Sequence, residues 1–270
     1  MKLLFLGDVV GRSGRTAVVS EVPRLRRKLG LDFVVVNGEN AAHGFGITEA
    51  NVREFEGCGV DCITTGNHIW NRQELLPYLP RMPRVLRPLN YPEGTPGIGV
   101  GVYEAAGRKV VVANLMGRLF LDPLDCPFVA MNKLLAEYRL GQNVHAIIID
   151  FHAEATSEKV AMGLWCDGRV SLVAGTHTHI PTADHQILPK GTGFITDAGM
   201  CGDYDSVIGM RKEEVLRRFL SKMPGERLKP AEGPATLCGV LIETEDVTGL
   251  VRRIEPVRIG GRLSQAEPTL

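Results

Sequence analysis

The chain has 270 residues, with 31 Lys and Arg against 31 Asp and Glu, so its formal charge at pH 7 is zero. This balance excludes the broad positive field on which sequence-independent nucleic-acid binding depends, and we expect no extensive nucleic-acid surface. Hydrophobic residues make up 44% and charged residues 23% of the chain, which is typical of a soluble globular protein and argues against disorder or a coiled coil.

Short apolar strands alternate with helices in the first third of the chain. Strands are predicted at 3–6, 33–36 and 60–64, and helices at 17–29 and 48–55. Strands that are apolar throughout, and separated by helices, are typical of a parallel sheet that is covered on both faces.

The pattern changes after a proline-rich segment at 77–96. Apolar runs at 98–103 and 109–115 flank a short turn containing Gly107, which predicts an antiparallel hairpin and the start of a second sheet. Further helices are predicted at 128–140 and 211–221, and further strands at 146–150, 170–174, 237–243 and 250–259. No repeat, low-complexity tract or long linker divides the chain, so we expect one domain over residues 1–270.

The amino terminus and the cysteines indicate the compartment. The apolar run at 3–6 is followed by Gly7 and Asp8, whereas a secretory signal needs roughly 7–15 apolar residues and a spanning helix roughly 20. The six cysteines are scattered and include no C-x-x-C pair, which favours buried thiols over a zinc ribbon or a disulfide scaffold. We therefore expect a cytoplasmic protein that makes no membrane contact.

Polar residues that can bind metals follow the predicted strands. They are Asp8, Glu39 with Asn40, Asn67 with His68, His152, and His177 with His179. The first three of these positions are about 30 residues apart, which is the length of one βαβ unit. Because the carboxyl ends of parallel strands lie at one edge of a sheet, we expect these side chains to converge. Carboxylate, imidazole and amide donors without cysteine suit manganese, iron or zinc in an open catalytic site.

Several sequence blocks resemble a known enzyme family. Gly66-Asn67-His68 and the block from Gly175 to His179 are similar to those of the calcineurin-like metallophosphoesterases. Further blocks, which begin at Gly7, Asn37, Phe151 and Thr196, are closer still to the YmdB-like branch. The resemblance runs from residue 3 to about residue 260. It implies an α/β fold, a four-layer α-β-β-α sandwich of two facing mixed sheets.

The resemblance also implies two divalent or transition-metal ions per chain, with iron or manganese favoured and zinc as an alternative. The first metal would be held by Asp8, Glu39, Asn40 and His179, and the second by Glu39, Asn67, His152 and His177. Val10 stands where the superfamily normally has histidine, and the branch resemblance implies that Asn40 replaces that imidazole. Glu39 would bridge the two metals.

The implied activity is hydrolysis of small cyclic nucleotides, and the preference for 2′,3′-cyclic nucleotides comes from the resemblance alone. Two metals about 3.5–4 Å apart can activate a bridging hydroxide and neutralise the phosphoryl oxygens. His68 would act as the general acid. Ile69 stands where the superfamily usually has an acid, so the residue that orients His68 is left open. His43 and Lys159 are further candidates for substrate binding.

Two alternatives to this activity stay open. One is a phosphomonoesterase acting on nucleotides or sugar phosphates. The other is a regulatory module that binds the metals but acts through protein or RNA-enzyme partners, against which the intact ligand set argues. The resemblance further implies self-association of the chain.

Overall fold

Two facing β-sheets with helices on their outer surfaces make up the molecule, which we describe from a computed structural model covering residues 1–223 and 225–269. The strands are β1 (Lys2–Val10), β2 (Phe33–Asn40), β3 (Cys62–Thr64), β4 (Val85–Leu86), β5 (Val100–Ala105), β6 (Arg108–Met116), β7 (Ala146–His152), β8 (Leu172–Thr176), β9 (Gln186–Ile187), β10 (Gly193–Ile195), β11 (Met200–Asp203), β12 (Ala235–Thr244) and β13 (Val251–Ile259). The helices are α1 (Gly11–Leu29), α2 (Glu49–Gly57), α3 (Pro127–Glu137), α4 (Thr156–Cys166) and α5 (Lys212–Ser221).

Each sheet combines parallel and antiparallel strands. Within the described residues the first sheet has seven strands in the order β13-β12-β11-β1-β2-β3-β4, and β1 to β4 are parallel. The second has six in the order β5-β6-β7-β8-β10-β9, with β6, β7, β8 and β10 parallel. The expected hairpin is present as β5 and β6, which pair antiparallel.

Three apolar layers hold the two sheets and the helices together. Residues Ala146 and Ile148 of β7 face the first sheet, whereas Ile147 and Ile149 pack under α3 and α4. The outer face of the first sheet packs against α1 and α2 in the same way. Since strands buried on both faces must be apolar at every position, the continuous runs in the sequence follow from this layering. The expected four-layer α-β-β-α sandwich is confirmed.

The layer between the sheets changes from apolar to polar toward the carboxyl ends of the strands. Residues that point inward there and are fully buried are Asn37, Thr64, Asn114, Asp150 and Thr176. We call this set the polar layer. Two residues further along β2 and β7, Glu39 and His152 again point inward, because alternate side chains along a strand lie on the same face.

Several elements differ from the sequence-based expectation. The proline-rich segment contributes β4 to the first sheet, and α1 begins at Gly11 rather than at residue 17. The short strands β9 to β11 and the helix α4 were not predicted. Strands of two to four residues between turns carry too few positions to show a period. Among the described residues, no helix has both the length and the hydropathy needed to cross a membrane.

Candidate metal centre

The predicted ligands meet where the strands of both sheets end. Strand β1 pairs with β12 up to Leu6 and with β11 from Asp8 onward, so β11 enters the sheet beside the first predicted ligand. This entry needs Gly7, because any side chain there would collide with the carbonyl oxygen of Gly199. The backbone at this point therefore places the Asp8 carboxylate at the edge that faces the second sheet's histidines.

Two groups of donor atoms share the Glu39 side chain. The first donor group is Asp8, Glu39 and His179, and the second donor group is Glu39, His152 and His177. Within each group the donor atoms lie within 4.8 Å of one another. The sharing of one carboxylate between two groups is the arrangement expected of a bridging ligand in a dinuclear site.

The two predicted amide ligands lie beside these groups. Asn67 Oδ1 is 2.7 Å from His152 Nε2 in the second donor group. In the first, Asn40 Nδ2 is 3.2 Å from His179 Nε2 and 2.6 Å from Glu39 Oε1. Because the amide also carries an oxygen, rotation about its last bond can present an acceptor in place of the nitrogen.

Buried oxygens and a space beside them fit a cation. Asp8 Oδ1 and Glu39 Oε2 are buried and accept no hydrogen bond from any described residue. Carboxylate oxygens in that position are costly unless a charge compensates them. Gly66 has a φ of 47°, and a side chain on it would collide with Glu39 Oε2 and come within 2.7 Å of His152 Nε2. The residues present therefore fit metal ions in both donor groups.

Burial and close charges shift the pKa values of the donor residues. Burial raises the pKa of Asp8 to about 7, although His179 opposes it. Burial also raises the pKa of Glu39, but the neighbouring His152 and His179 lower it well below its usual range. Burial and the charge of His152 lower the pKa of His177 to about 3. Glu39 thus stays negatively charged and His177 neutral. Despite burial, the neighbouring carboxylates raise the pKa of His152 and raise that of His179 to about 9, so these two imidazoles must give up a proton when they bind metal.

The loop carrying His177 and His179 is held in a strained conformation. Both histidines have positive φ, 98° and 67°, in a region that side chains other than glycine rarely occupy. Asp197 accepts hydrogen bonds from the backbone and the hydroxyl of Thr178, at 3.1 and 2.6 Å. Such strain persists where the surroundings fix it and is common at functional sites.

Each of the three imidazoles has a partner for the nitrogen that faces away from the donor groups. His179 Nδ1 lies 2.8 Å from the carbonyl of Ile208, and His152 Nδ1 lies 2.9 Å from Thr176 Oγ1. His177 is oriented the other way, with Nδ1 3.1 Å from His152 Nε2 and Nε2 3.1 Å from Glu154. Such partners set the tautomer and ring orientation of metal-binding histidines.

His68 lies beside the donor groups without belonging to either. It is in a 3₁₀ turn, Gly66–Asn71, directly after β3 and Thr65. Its Nδ1 is 3.1 Å from Asn71 Oδ1, and its ring meets Phe45 edge-on with centroids 5.3 Å apart. The question of what orients His68 is thereby answered by an amide rather than an acid, and the sequence-based assignment did not include Asn71.

The two candidates for substrate binding occupy different environments. Lys159 is 1% exposed and its ammonium is 2.8 Å from Asp197, so its prediction as a substrate contact is wrong. It lies on the buried face of α4 and supports the Asp197 carboxylate that holds the histidine loop. His43 is exposed in the turn after β2 with a φ of 56°, and its contact with substrate stays a prediction.

Comparison with known proteins identifies the family of the chain. A family model described as YmdB-like protein matches residues 4–257. A 2′,3′-cyclic-nucleotide 2′-phosphodiesterase of Bacillus subtilis (strain 168) is 48% identical over 259 residues, which cover 96% of this chain and 97% of that protein.

Two solved structures superpose over nearly the whole chain. A hypothetical protein from Thermus thermophilus has a TM-score of 0.90 at 41% identity, covering 97% of this chain and 100% of that one. A novel phosphatase from Mycoplasma pneumoniae has a TM-score of 0.90 at 35% identity, covering 99% and 95%. The match to the family model and the identity with these relatives together place the chain in the YmdB-like protein family.

Proposed function

We propose that this chain is a dinuclear metal-dependent phosphodiesterase that hydrolyses 2′,3′-cyclic nucleotides. The observation that carries the proposal is the pair of donor groups that share Glu39. Buried oxygens of Asp8 and Glu39 in these groups accept no hydrogen bond from the described part of the chain. The printed activity of the Bacillus subtilis relative supports the substrate class.

The proposed ligands divide between the two metals as the family resemblance implies. The first donor group and Asn40 would hold the first metal, and the second donor group and Asn67 would hold the second. The mixture of carboxylate, amide and imidazole donors favours iron or manganese, with zinc as an alternative. When bound, the two cations would lower the pKa of an attacking water to about 7 and neutralise charge on the phosphoryl oxygens.

His68 is the proposed general acid. When both of its ring nitrogens are protonated, Nδ1–H donates to Asn71 and Nε2–H is free to donate to the leaving oxygen. Phe45 limits the ring's rotation because it packs against it edge-on. The imidazole is therefore held in place before the substrate arrives, which lowers the entropic cost of proton transfer.

The proposed catalytic unit is the whole chain, residues 1–270, as one domain. Asp8 and Glu39 come from the first sheet, whereas His152 ends β7 and His177 follows β8 of the second sheet, so neither sheet alone holds the site. We also propose a cytoplasmic location. All six cysteines in the described residues are free and four of them are buried, as is usual in a reducing compartment.

A product-resolved hydrolysis screen tests this function. Manganese-loaded protein is incubated with 2′,3′-cyclic AMP, 3′,5′-cyclic AMP, 3′-AMP and a sugar phosphate, and the products are separated by chromatography. We expect the 2′,3′-cyclic nucleotide to be the preferred substrate, with cleavage of the 2′ ester to give 3′-AMP. Faster release of phosphate from the monoesters would favour the phosphomonoesterase instead. Asp8→Asn protein, purified in the same way, controls for contaminating phosphatases.

A further inference from the structure

Asp150 is a carboxylate that the proposed chemistry does not use. It lies on β7 within the polar layer, 0% exposed, between the two sheets. A buried carboxylate is expensive unless every lone pair that water would satisfy has a partner. Its hydrogen bonds therefore indicate what it does in the fold.

Three side chains donate hydrogen bonds to Asp150. Thr176 Oγ1 lies 2.6 Å from Oδ1, Asn37 Nδ2 lies 2.9 Å from Oδ2, and the Thr64 hydroxyl also bonds to Oδ2. Asn37 and Thr64 belong to the first sheet, whereas Asp150 and Thr176 belong to the second. The carboxylate thus links the two sheets directly beneath the donor groups.

The hydrogen bond from Thr176 to Asp150 fixes the direction of the hydrogen bond between Thr176 and His152. An ionised carboxylate only accepts, so the single hydroxyl proton of Thr176 points at Asp150. The same oxygen lies 2.9 Å from His152 Nδ1 and must accept there. His152 therefore carries a proton on Nδ1, which leaves Nε2, 2.7 Å from Asn67 Oδ1 and 3.0 Å from Glu39 Oε2, as the nitrogen available to a metal.

A second chain of bonds runs from Asp150 to the shared carboxylate residue. The Asn37 amide nitrogen donates to Asp150 Oδ2 and, at 3.4 Å, to Thr176 Oγ1. Its Oδ1 accepts from the backbone N–H of Glu39 at 3.0 Å. The polar layer also includes Asn114, whose Nδ2 bonds the Asp150 carbonyl while its Oδ1 accepts from Gly66 N, one residue before Asn67. Hydrogen bonds thus connect Asp150 with the residues of both sheets that surround the second metal position.

We propose that Asp150 is a positioning residue for the second metal, acting on His152 through the Thr176 hydroxyl and on Glu39 through Asn37. The inference rests on the proposed dinuclear site. Since it concerns only how well that site binds metal, it does not depend on which phosphate ester is hydrolysed.

Paired substitutions of Thr176 separate the hydroxyl from the space it fills. Thr176→Val keeps the volume but removes the hydroxyl, whereas Thr176→Ser keeps the hydroxyl. Manganese binding to chelator-treated protein is measured by calorimetry. We expect Thr176→Val to weaken one of the two binding events by about 10–100-fold, the usual effect of removing a partner of a metal-bound histidine, and Thr176→Ser to restore it.

Thr192→Val is the matched control, because this hydroxyl is equally buried, directly before β10, but bonds the carbonyl oxygens of Cys166 and Val170. It should leave both binding events unchanged. Parent-like affinity in Thr176→Val, or equal weakening in Thr176→Val and Thr176→Ser, would overturn the proposal.

A measurement on the parent protein keeps the inference testable if Thr176→Val does not fold. In zinc-loaded protein, nitrogen NMR should find His152 protonated on Nδ1, and protonation on Nε2 would overturn the relay. The proposed function fails separately: a parent that binds two manganese ions but cleaves no cyclic nucleotide would reject the activity while leaving the role of Asp150 intact.

Discussion

Replacing His68 with alanine separates proton transfer from metal binding, because His68 belongs to neither donor group. General acid catalysis typically contributes about 10²–10⁴-fold to the rate, which corresponds to about 2.7–5.4 kcal/mol of transition-state free energy. The loss in a given reaction depends on how strongly the leaving oxygen needs a proton. The ribose oxygen released from a 2′,3′-cyclic nucleotide needs one, whereas a nitrophenolate leaves readily without it.

We therefore expect His68→Ala to lose about 10²–10⁴-fold in kcat/KM on 2′,3′-cyclic AMP and much less on bis(p-nitrophenyl) phosphate. The difference in transition-state free energy between the two substrates isolates the proton transfer, since the metals serve both. Asn71→Ala should show a smaller loss with the same substrate dependence, because it frees the ring whose Nδ1 lies 3.1 Å from Asn71 Oδ1.

Both assays use manganese-loaded protein whose metal content is measured before the kinetics. His145→Ala is the matched control, because His145 precedes β7 at the end away from the donor groups and bonds the backbone of Lys109. Equal losses on the two substrates would refute proton transfer and indicate that His68 orients the phosphate. Parent-like rates on both would exclude His68 from the site.

Three further predictions concern the metal ligands. Glu39→Gln should abolish activity while circular dichroism stays parent-like, because an amide cannot neutralise two cations; near-parent turnover would exclude a bridging role. Glu154→Ala should weaken the binding of one manganese ion by about tenfold in calorimetry, because it removes the partner of His177 Nε2. Glu154→Gln retains an acceptor for that nitrogen and should bind manganese as the parent does. Equal affinity in the parent, Glu154→Ala and Glu154→Gln would contradict this role of Glu154. The Tm of chelator-treated protein should fall as the pH rises from 6.5 to 9, whereas the Tm of metal-loaded protein should not. Parallel plots of Tm against pH for the two forms would contradict the assignment of His179 as a metal ligand.

Chelator-treated protein should lose stability with rising pH because folding raises the pKa of His179. Burial lowers its pKa, but the negative charges of Glu39, 3.9 Å away, and of Asp8 raise it to about 9. A group whose pKa rises on folding stabilises the protein below its unfolded value of about 6.5, and this is lost as the pH rises through the folded value. A neutral imidazole bound to metal has no such titration, so loading removes the decline.

The positions of the ligands could be predicted because they follow from the regularity of parallel strands. Asp8, Glu39 and Asn67 recur at the length of a βαβ unit, and the carboxyl ends of such strands share an edge. The sequence could not show that β11 enters beside Asp8, because its four residues carry no periodicity and its place depends on the close approach of Gly7 and Gly199.

The residues that support the ligands were harder to predict. Asp150 stands in an apolar run and pairs with Asn37 of the other sheet, so its role depends on how the two sheets face each other. Lysine is usually found at the protein surface, but α4 packs so that the Lys159 ammonium reaches Asp197. In both cases the deciding partner is distant in the sequence, and the local pattern does not carry that information.

Elemental analysis of manganese-loaded, desalted protein tests most directly whether two metals share Glu39. The parent should contain two manganese ions per chain, and Glu39→Gln should contain fewer. A parent that holds one ion or none after loading, or a Glu39→Gln variant that still holds two, would contradict the dinuclear site.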